Sequence, residues 1–348
     1  MKVAFVLAPR TTISGKSNGV RNRCINWASA LMKAGTDVTM ISPFDGHRIG
    51  EFDVVHCFHR GFWYYEFIRA AGNSGRPPIL ISPIEDSNPP ALRTRFKRFM
   101  NFRKRRFQAF KNNLISESFN ASDGIVVRSE YEAGQLADKY GVAKKKMKVI
   151  PIGVDLLDKE YVSSDAKKKQ VFHISSIYQQ RKNVPRLIKA CVQQDIHLVL
   201  AGYGGPDFQN TEVFRLIEKY GEERISYHGF VTQEELHALF RESRIFALPS
   251  LMEGVGNVAL EAAAFGCEIV LTERGGPKEY YDGLAHLVDP KSVKDIGKGI
   301  RSAMESPKQP DLRKHIERDH SIEATVRELN VYYASLVGEE SSIFKNHS

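Results

Sequence analysis

Only four cysteines occur in 348 residues (Cys24, Cys57, Cys191 and Cys267), and no two form a Cys-x-x-Cys pair. That scarcity speaks against a disulfide framework and a zinc-ribbon site, and suits a reducing cytosol. Long apolar runs are missing as well. No stretch approaches the ~20 residues of a membrane-crossing helix, and MKVAFVLAPR reads as a first strand rather than a signal peptide. There is no Asp-x-Asp metal signature in a suitable loop, and no carboxylate nucleophile paired with an acid as a retaining hydrolase needs. Acidic residues are absent from one region in particular. Between Ser87 and Ser116 stand nine Lys and Arg without a single Asp or Glu, and the whole chain carries 50 basic against 41 acidic residues, a net charge of +9. The rest of the chain is therefore charge-balanced, which points to one anionic partner surface.

What is present is a repeated alternation of short Val/Ile-rich runs with helical patterns, the signature of parallel sheets covered by helices. The first half predicts strands at Val3–Ala8, Val38–Ser42, Val54–Phe58, Ile79–Ser82, Ile125–Arg128 and Lys148–Pro151. Val20, Cys24, Trp27, Ala28 and Leu31 fall at helical spacing between the first two, with Gly35 as the stop. The second half predicts strands at Val171–Ser175, His197–Ala201, Arg224–His228, Ile245–Leu248, Glu268–Leu271 and His286–Val288. Helices are expected at Val184–Val192, Thr211–Tyr220, Gln233–Glu242 and Val258–Phe265. The expectation is an α/β protein of two Rossmann-like domains, 1–158 and 159–320, joined by a linker of Pro151–Asp155 followed by the polar stretch Lys159–Lys169. A helix near Ile322–Leu336 (domain 321–337) would cross back to the first domain, and 338–348 reads as a tail.

The most informative stretch is Pro249–Gly266, PSLMEGVGNVALEAAAFG. A strand runs into a loop carrying Glu253, then a turn with Gly254 and Gly256, then a small-residue helix bearing Glu261. Exposed amides at a helix N-terminus attract phosphate, and carboxylates accept hydrogen bonds from sugar hydroxyls. The competing interpretation is structural: Ala259, Leu260 and Ala262–Ala264 pack a helix on a sheet, and the glycines only serve a tight turn.

Further segments settle the direction of this comparison. Asn18-Gly19 precedes the first helix, Asp53–His56 ends a strand, and Ser129 follows Ile125–Arg128. Ile150–Asp155 reads IPIGVD, Val199–Gly204 VLAGYG, His228–Val231 HGFV and Gly275–Glu279 GGPKE. With Glu253 and Glu261 as an E-x7-E motif, the chain resembles, over nearly its full length, a GT-B glycosyltransferase of the retaining family 4. The resemblance implies two facing Rossmann-like domains with a cleft, and metal-independent hexosyl transfer from a nucleoside-diphosphate sugar to a glycan or lipid-linked acceptor. A UDP-sugar is the favoured donor and no separate cofactor is implied. It places Lys182 at the donor diphosphate and Glu253 on the donor-sugar hydroxyls. Gly254, Gly256, Asn257 and Val258 would offer amides, Glu261 would accept the ribose hydroxyls, and Gly19 would let a first-domain loop approach the phosphates.

Two departures stand out. The family's arginine five residues before the lysine is Ile177 here, leaving Arg181 as a substitute cation. Its Thr-x-His-Gly-like segment is Ser82–Asp86 here, leaving Glu85, Asp86, His56 and His59 as polar groups on the acceptor side. Other GT-B sugar-nucleotide enzymes, an epimerase or a phosphorylase, remain the alternative reading. The basic segment predicts a helix over Ala91–Leu114 with Phe96, Phe99, Met100, Phe107, Phe110 and Leu114 at roughly helical spacing. Either the phenylalanines pack on the first domain, or the helix and Arg103–Arg106 meet an anionic membrane as a peripheral contact of a cytoplasmic enzyme. A nucleic-acid partner is not expected, since no nucleic-acid module is present.

Overall fold

The structure is a computed structural model. It describes residues 1–7, 19–41, 46–72, 75–85, 102–157, 159–281 and 283–338, with the side chains of 102–109 left aside. The chain divides into two compact units, one of Met1–Gly153 with the C-terminal segment from Ile322, the other of Val154–Ser321.

In the first unit, strands β1 (Lys2–Leu7), β2 (Asp37–Ile41), β3 (Val54–Phe58), β4 (Ile79–Ser82), β5 (Gly124–Val127) and β6 (Met147–Val149) pair in the order β2-β1-β3-β4-β5-β6. Helices α1 (Gly19–Lys33), α2 (Trp63–Ala71), α3 (Phe102–Ala121) and α4 (Glu130–Tyr140) cross between them. All pairings are parallel, so the central strands are buried on both faces and read as unbroken apolar runs.

The second unit has β7 (Lys168–Ile174), β8 (His197–Ala201), β9 (Ile225–Tyr227), β10 (Ser243–Leu248), β11 (Glu268–Thr272) and β12 (His286–Val288), in the order β12-β11-β10-β7-β8-β9. Its helices are α5 (Val184–Gln193), α6 (Glu212–Tyr220), α7 (Gln233–Glu242), α8 (Asn257–Ala264), α9 (Pro277–Tyr281), α10 (Val293–Glu305) and α11 (Asp311–Asp319). Counted from its own first strand this is the doubly wound order 3-2-1-4-5-6, which reverses between β7 and β10. The first unit instead begins in the flavodoxin-like order 2-1-3-4-5.

The last helix, α12 (Ile322–Val337), belongs to the first unit. It buries Val326, Leu329 and Tyr333 in one cluster with Trp27 and Leu31 of α1, and Thr325 Oγ1 donates to Pro151 O at 3.0 Å. The chain changes unit at Gly153/Val154, earlier than the polar stretch that looks like a linker in sequence. That stretch is structural: Lys167 is buried, and its ammonium donates to the Phe240 and Phe265 carbonyls at 2.7 and 2.8 Å. These carbonyls end α7 and α8, where a cation complements the helix dipole.

The basic helix also differs from expectation. Its described part runs Phe102–Ala121, seven residues beyond Leu114, and Phe110 of the expected apolar stripe is 60% exposed. Residues 91–101 lie outside the described residues. Among the described residues no helix is long and apolar enough to cross a membrane.

Candidate functional site

The loops that leave β7 and β10 meet at the switch point of the second unit, where ligands of doubly wound sheets bind. The β7 loop makes one 3-10 turn, Gln180–Lys182, and closes on Asn183 in left-handed conformation with φ 60°. Asn tolerates that region better than most residues. Asn183 is buried, and its side-chain amide donates to Pro249 O at 2.8 Å and Pro290 O at 2.6 Å. Leu251 N donates to Arg181 O at 2.8 Å, so the two loops are bonded to each other on both sides of Lys182.

The Lys182 ammonium donates to Glu253 Oε1 at 2.6 Å. Arg181 Nη1 stands 3.8 Å from the same oxygen, while its Nε donates to Gln179 Oε1 at 3.0 Å. The side chains of Glu253 and Lys182 are 9% and 13% exposed. A carboxylate that secluded is costly to leave unpaired. Two cations on one carboxylate leave the cluster with a surplus positive charge. Glu253 is further held from the β11 side, its N–H donating to Arg274 O and its carbonyl accepting from Gly276 N, both at 3.2 Å. Gly275 has φ 106°, and an added Cβ would collide with the Glu253 carbonyl oxygen. That gives the GGPKE glycine a physical reason.

Next to this cluster α8 begins. Gly256 stands at its N-cap with φ 86°, and no side chain caps the helix. The turn is tightened by Ala259 N donating to Gly256 O at 2.8 Å, so the first-turn amides emerge at the positive end of the dipole. Tyr281 is fully buried and donates to Gly256 O at 3.1 Å. Burial, chiefly, and then the neighbouring Tyr280, Glu253 and Glu261, hold the Tyr281 phenol well above its ordinary pKa, so it remains a donor. Glu261 lies on the second turn of α8, half-buried. Burial raises its carboxyl above the usual carboxylate range, with Lys159 opposing.

Two family models match successive parts of the chain: "Glycosyltransferase Family 4" over residues 47–157 and "Glycosyl transferases group 1" over 158–319. Taken in succession these two glycosyltransferase models cover residues 47–319, and the chain is similar to glycosyltransferases of family 4. Among curated relatives, the serotype-specific mannosyltransferase WbdA of Escherichia coli is 26% identical over 219 residues, covering 57% of this chain and 26% of that protein. The MMP alpha-(1->4)-mannosyltransferase of Mycolicibacterium hassiacum is 27% identical over 194 residues, covering 53% of this chain and 46% of that protein. The matched region thus spans less than half the length of these relatives. Among solved structures, Anabaena Alr3699/HepE in complex with UDP superposes with a TM-score of 0.73 at 18% identity, covering 96% of this chain and 100% of that one. The fold is that of GT-B glycosyltransferases.

Other residues singled out from sequence divide clearly. Ile177, at the position of the family arginine, is 1% exposed and packs with Val184 and Leu187, so no charge fits there. His56 is corrected as an acceptor-side group. It is fully buried, its Nδ1 bonded to Tyr333 Oη at 2.6 Å and its Nε2 to Ser82 Oγ at 2.7 Å. Burial, with the Arg23 charge adding to it, pushes the imidazole down to about 3; it is a neutral core residue. Glu85 is buried as well, and pairs with Arg60, Lys139 and the Tyr140 hydroxyl, which accounts for its charge without a ligand. His59 is half-buried in left-handed backbone (φ 78°), its N–H donating to Ser82 O at 2.8 Å. Gly19 is the exposed first residue of α1, and a Cβ there would meet nothing within 4 Å. Asn18 and Asp86, and the side chains of Arg103, Lys104, Arg105 and Arg106, lie outside the described residues. Sequence reasoning missed Tyr281, for which no local pattern exists, and Asn183, whose signal was an Asn directly after a turn and before Val-Pro.

Proposed function

We propose that this chain transfers a sugar, with retention, from a nucleoside-diphosphate sugar to a glycan or lipid-linked acceptor in surface-polysaccharide or glycolipid assembly. The observation that carries the reading is the 2.6 Å contact of Lys182 with Glu253 beside the uncapped N-terminus of α8. The diphosphate takes the α8 amides, Lys182 and Arg181, which together supply its positive counter-charge from the protein. Glu253 receives the donor-sugar hydroxyls and Glu261 the ribose hydroxyls. The acceptor hydroxyl attacks the anomeric carbon from the face the diphosphate leaves. The carbon–phosphate oxygen bond breaks, the new glycosidic bond forms, and the hydroxyl proton passes to the departing phosphate oxygen. Lys182 and the helix end stabilise the charge that grows there. The mannosyltransferase names of two relatives and the UDP complex of one structural neighbour support a sugar nucleotide as substrate.

Incubation with UDP-, GDP- and ADP-sugars, without acceptor and both with and without added phosphate, tests the proposal. Slow release of nucleoside diphosphate from at least one donor is expected. Turnover that requires inorganic phosphate would make the protein a phosphorylase and overturn the reading.

A further inference from the structure

The segment that leaves β11 and enters α9, Arg274–Tyr281, supports the Glu253–Gly256 turn from behind. Glu253 N donates to Arg274 O and Gly276 N to Glu253 O, both at 3.2 Å, which pairs Glu253 with Gly275 as a short parallel bridge. A third tie comes from a side chain. Tyr281 Oη donates to Gly256 O at 3.1 Å, so that carbonyl accepts twice, the other donor being Ala259 N at 2.8 Å.

Packing explains the ring of Tyr281 but not its hydroxyl. The ring is fully buried in one core cluster with Ala259 and Leu260 of α8 and Leu271 of β11. Phenylalanine would fill the same space without bringing in a polar group that needs a partner. What the hydroxyl adds is a fixed donor on one particular peptide, the one joining Gly256 to Asn257. Gly256 has left-handed backbone, φ 86°, and no Cβ, so sterics restrain the tilt of this peptide little. In a trans peptide the carbonyl and the N–H point opposite ways. With the carbonyl held inward by Tyr281 and Ala259, the Asn257 N–H is directed outward at the start of α8, where the helix offers it no acceptor. Two donors on the carbonyl also polarise the peptide and strengthen that N–H as a donor.

We infer that Tyr281 is a positioning residue for the donor diphosphate: through the Gly256 carbonyl it aims and strengthens the Asn257 amide that receives a phosphate oxygen. This rests on the donor site proposed above, and adds to it the side chain that sets the direction of the amide. Being fully buried, Tyr281 acts without touching the substrate.

Calorimetric titration of the full chain, wild type and Tyr281→Phe, with inorganic pyrophosphate, UDP, GDP and ADP tests the assignment, with Tyr64→Phe as the comparison. Tyr64 is another fully buried phenol that donates to a carbonyl, Phe58 O at 2.6 Å, in the first unit. The wild type is expected to bind pyrophosphate and at least one nucleoside diphosphate. Tyr281→Phe should weaken both by the same factor, about 2- to 10-fold, whereas Tyr64→Phe should keep the wild-type affinity for pyrophosphate. Unaltered pyrophosphate affinity in Tyr281→Phe, whatever the change in Tm, would reduce the phenol to a core group and overturn the positioning role while leaving the donor site intact. So would an equal loss in Tyr64→Phe, which would mark a general loosening of the protein. If the wild type bound none of these ligands, the donor site itself would fall, and the role of Tyr281 with it.

Discussion

Replacing Lys182 by Ala separates the two things its ammonium does. In the free protein it neutralises Glu253, whose side chain is 9% exposed; in the reaction it is proposed to meet the charge on the leaving diphosphate. Removing one partner of a fully buried pair costs about 3–5 kcal/mol. Here Arg181, 3.8 Å from the same carboxylate oxygen, remains to share the charge, so the loss should be nearer ~2 kcal/mol. For a unit the size of Val154–Ser321, that lowers Tm by about 4–8 °C. The kinetic loss should be larger. Losing one preorganised partner of a developing negative charge costs about 10²–10³ in kcat. Scanning calorimetry and initial rates of nucleoside diphosphate release at saturating donor measure the two effects on one preparation. Adding Glu253→Gln to Lys182→Ala should restore most of the lost stability, because no unpaired charge is left, and none of the rate. A Lys182→Ala enzyme with normal kcat and only a raised KM would refute the transition-state role, since uniform binding alone would have been lost.

Other expectations follow from the same geometry. Asn183→Gly keeps the φ 60° backbone free of strain but deletes the bonds to Pro249 and Pro290; it should cost about 1–3 kcal/mol in urea unfolding and lower kcat by loosening Lys182. Asn183→Asp, which sets a carboxylate against two carbonyl oxygens, should be worse on both counts. Gly275→Ala should be poorly folded or inactive, because its Cβ collides with the Glu253 carbonyl oxygen; circular dichroism melting shows which. Acidification should unfold the protein in a defined window. Fully buried His56 and His173 have imidazoles pushed by burial from 6.5 to about 3 and about 4. The unfolded chain therefore binds protons below pH 6.5 that the native state refuses until pH 3–4. Stability is present above pH 6.5 and is lost as pH falls, by ~2 kcal/mol for each histidine at pH 5. NMR titration showing either imidazole protonated at pH 6 in the native state would contradict this.

Much of this architecture is readable from residue order because parallel strands buried on both faces appear as apolar runs. Val54–Phe58, Ile79–Ser82 and His197–Ala201 have the same bounds in sequence and structure. Amphipathic helices such as α4, α10 and α11 are obscured by interspersed charge: Asp311–Asp319 reads as mostly polar, and tertiary packing of Leu312 and Ile316 defines its inner face. The change of unit at Gly153/Val154 falls within Pro151–Asp155, but the polar stretch after it misleads for a related reason. Lys159–Lys169 looks solvated, yet Lys167 is buried because two helix ends offer it carbonyls. At the site, Glu253 and the Gly256 turn stand out in the sequence because their chemistry is local, whereas Lys182 is singled out only by the family resemblance. Their convergence on one oxygen depends on β7 and β10 being neighbours, which no local spacing reveals. His56 was misleading: a histidine at a strand end looks functional until Tyr333, 277 residues away, is seen bonded to it.

The most direct test of the central claim is the melting temperature of the full chain with millimolar UDP, GDP, ADP and their sugar conjugates. A native-state ligand at a hundred times its Kd adds about 2.7 kcal/mol, about 5–11 °C for a unit of this size. The account predicts such a rise with at least one nucleoside diphosphate, and its loss in Lys182→Ala. No shift with any of these ligands would contradict it.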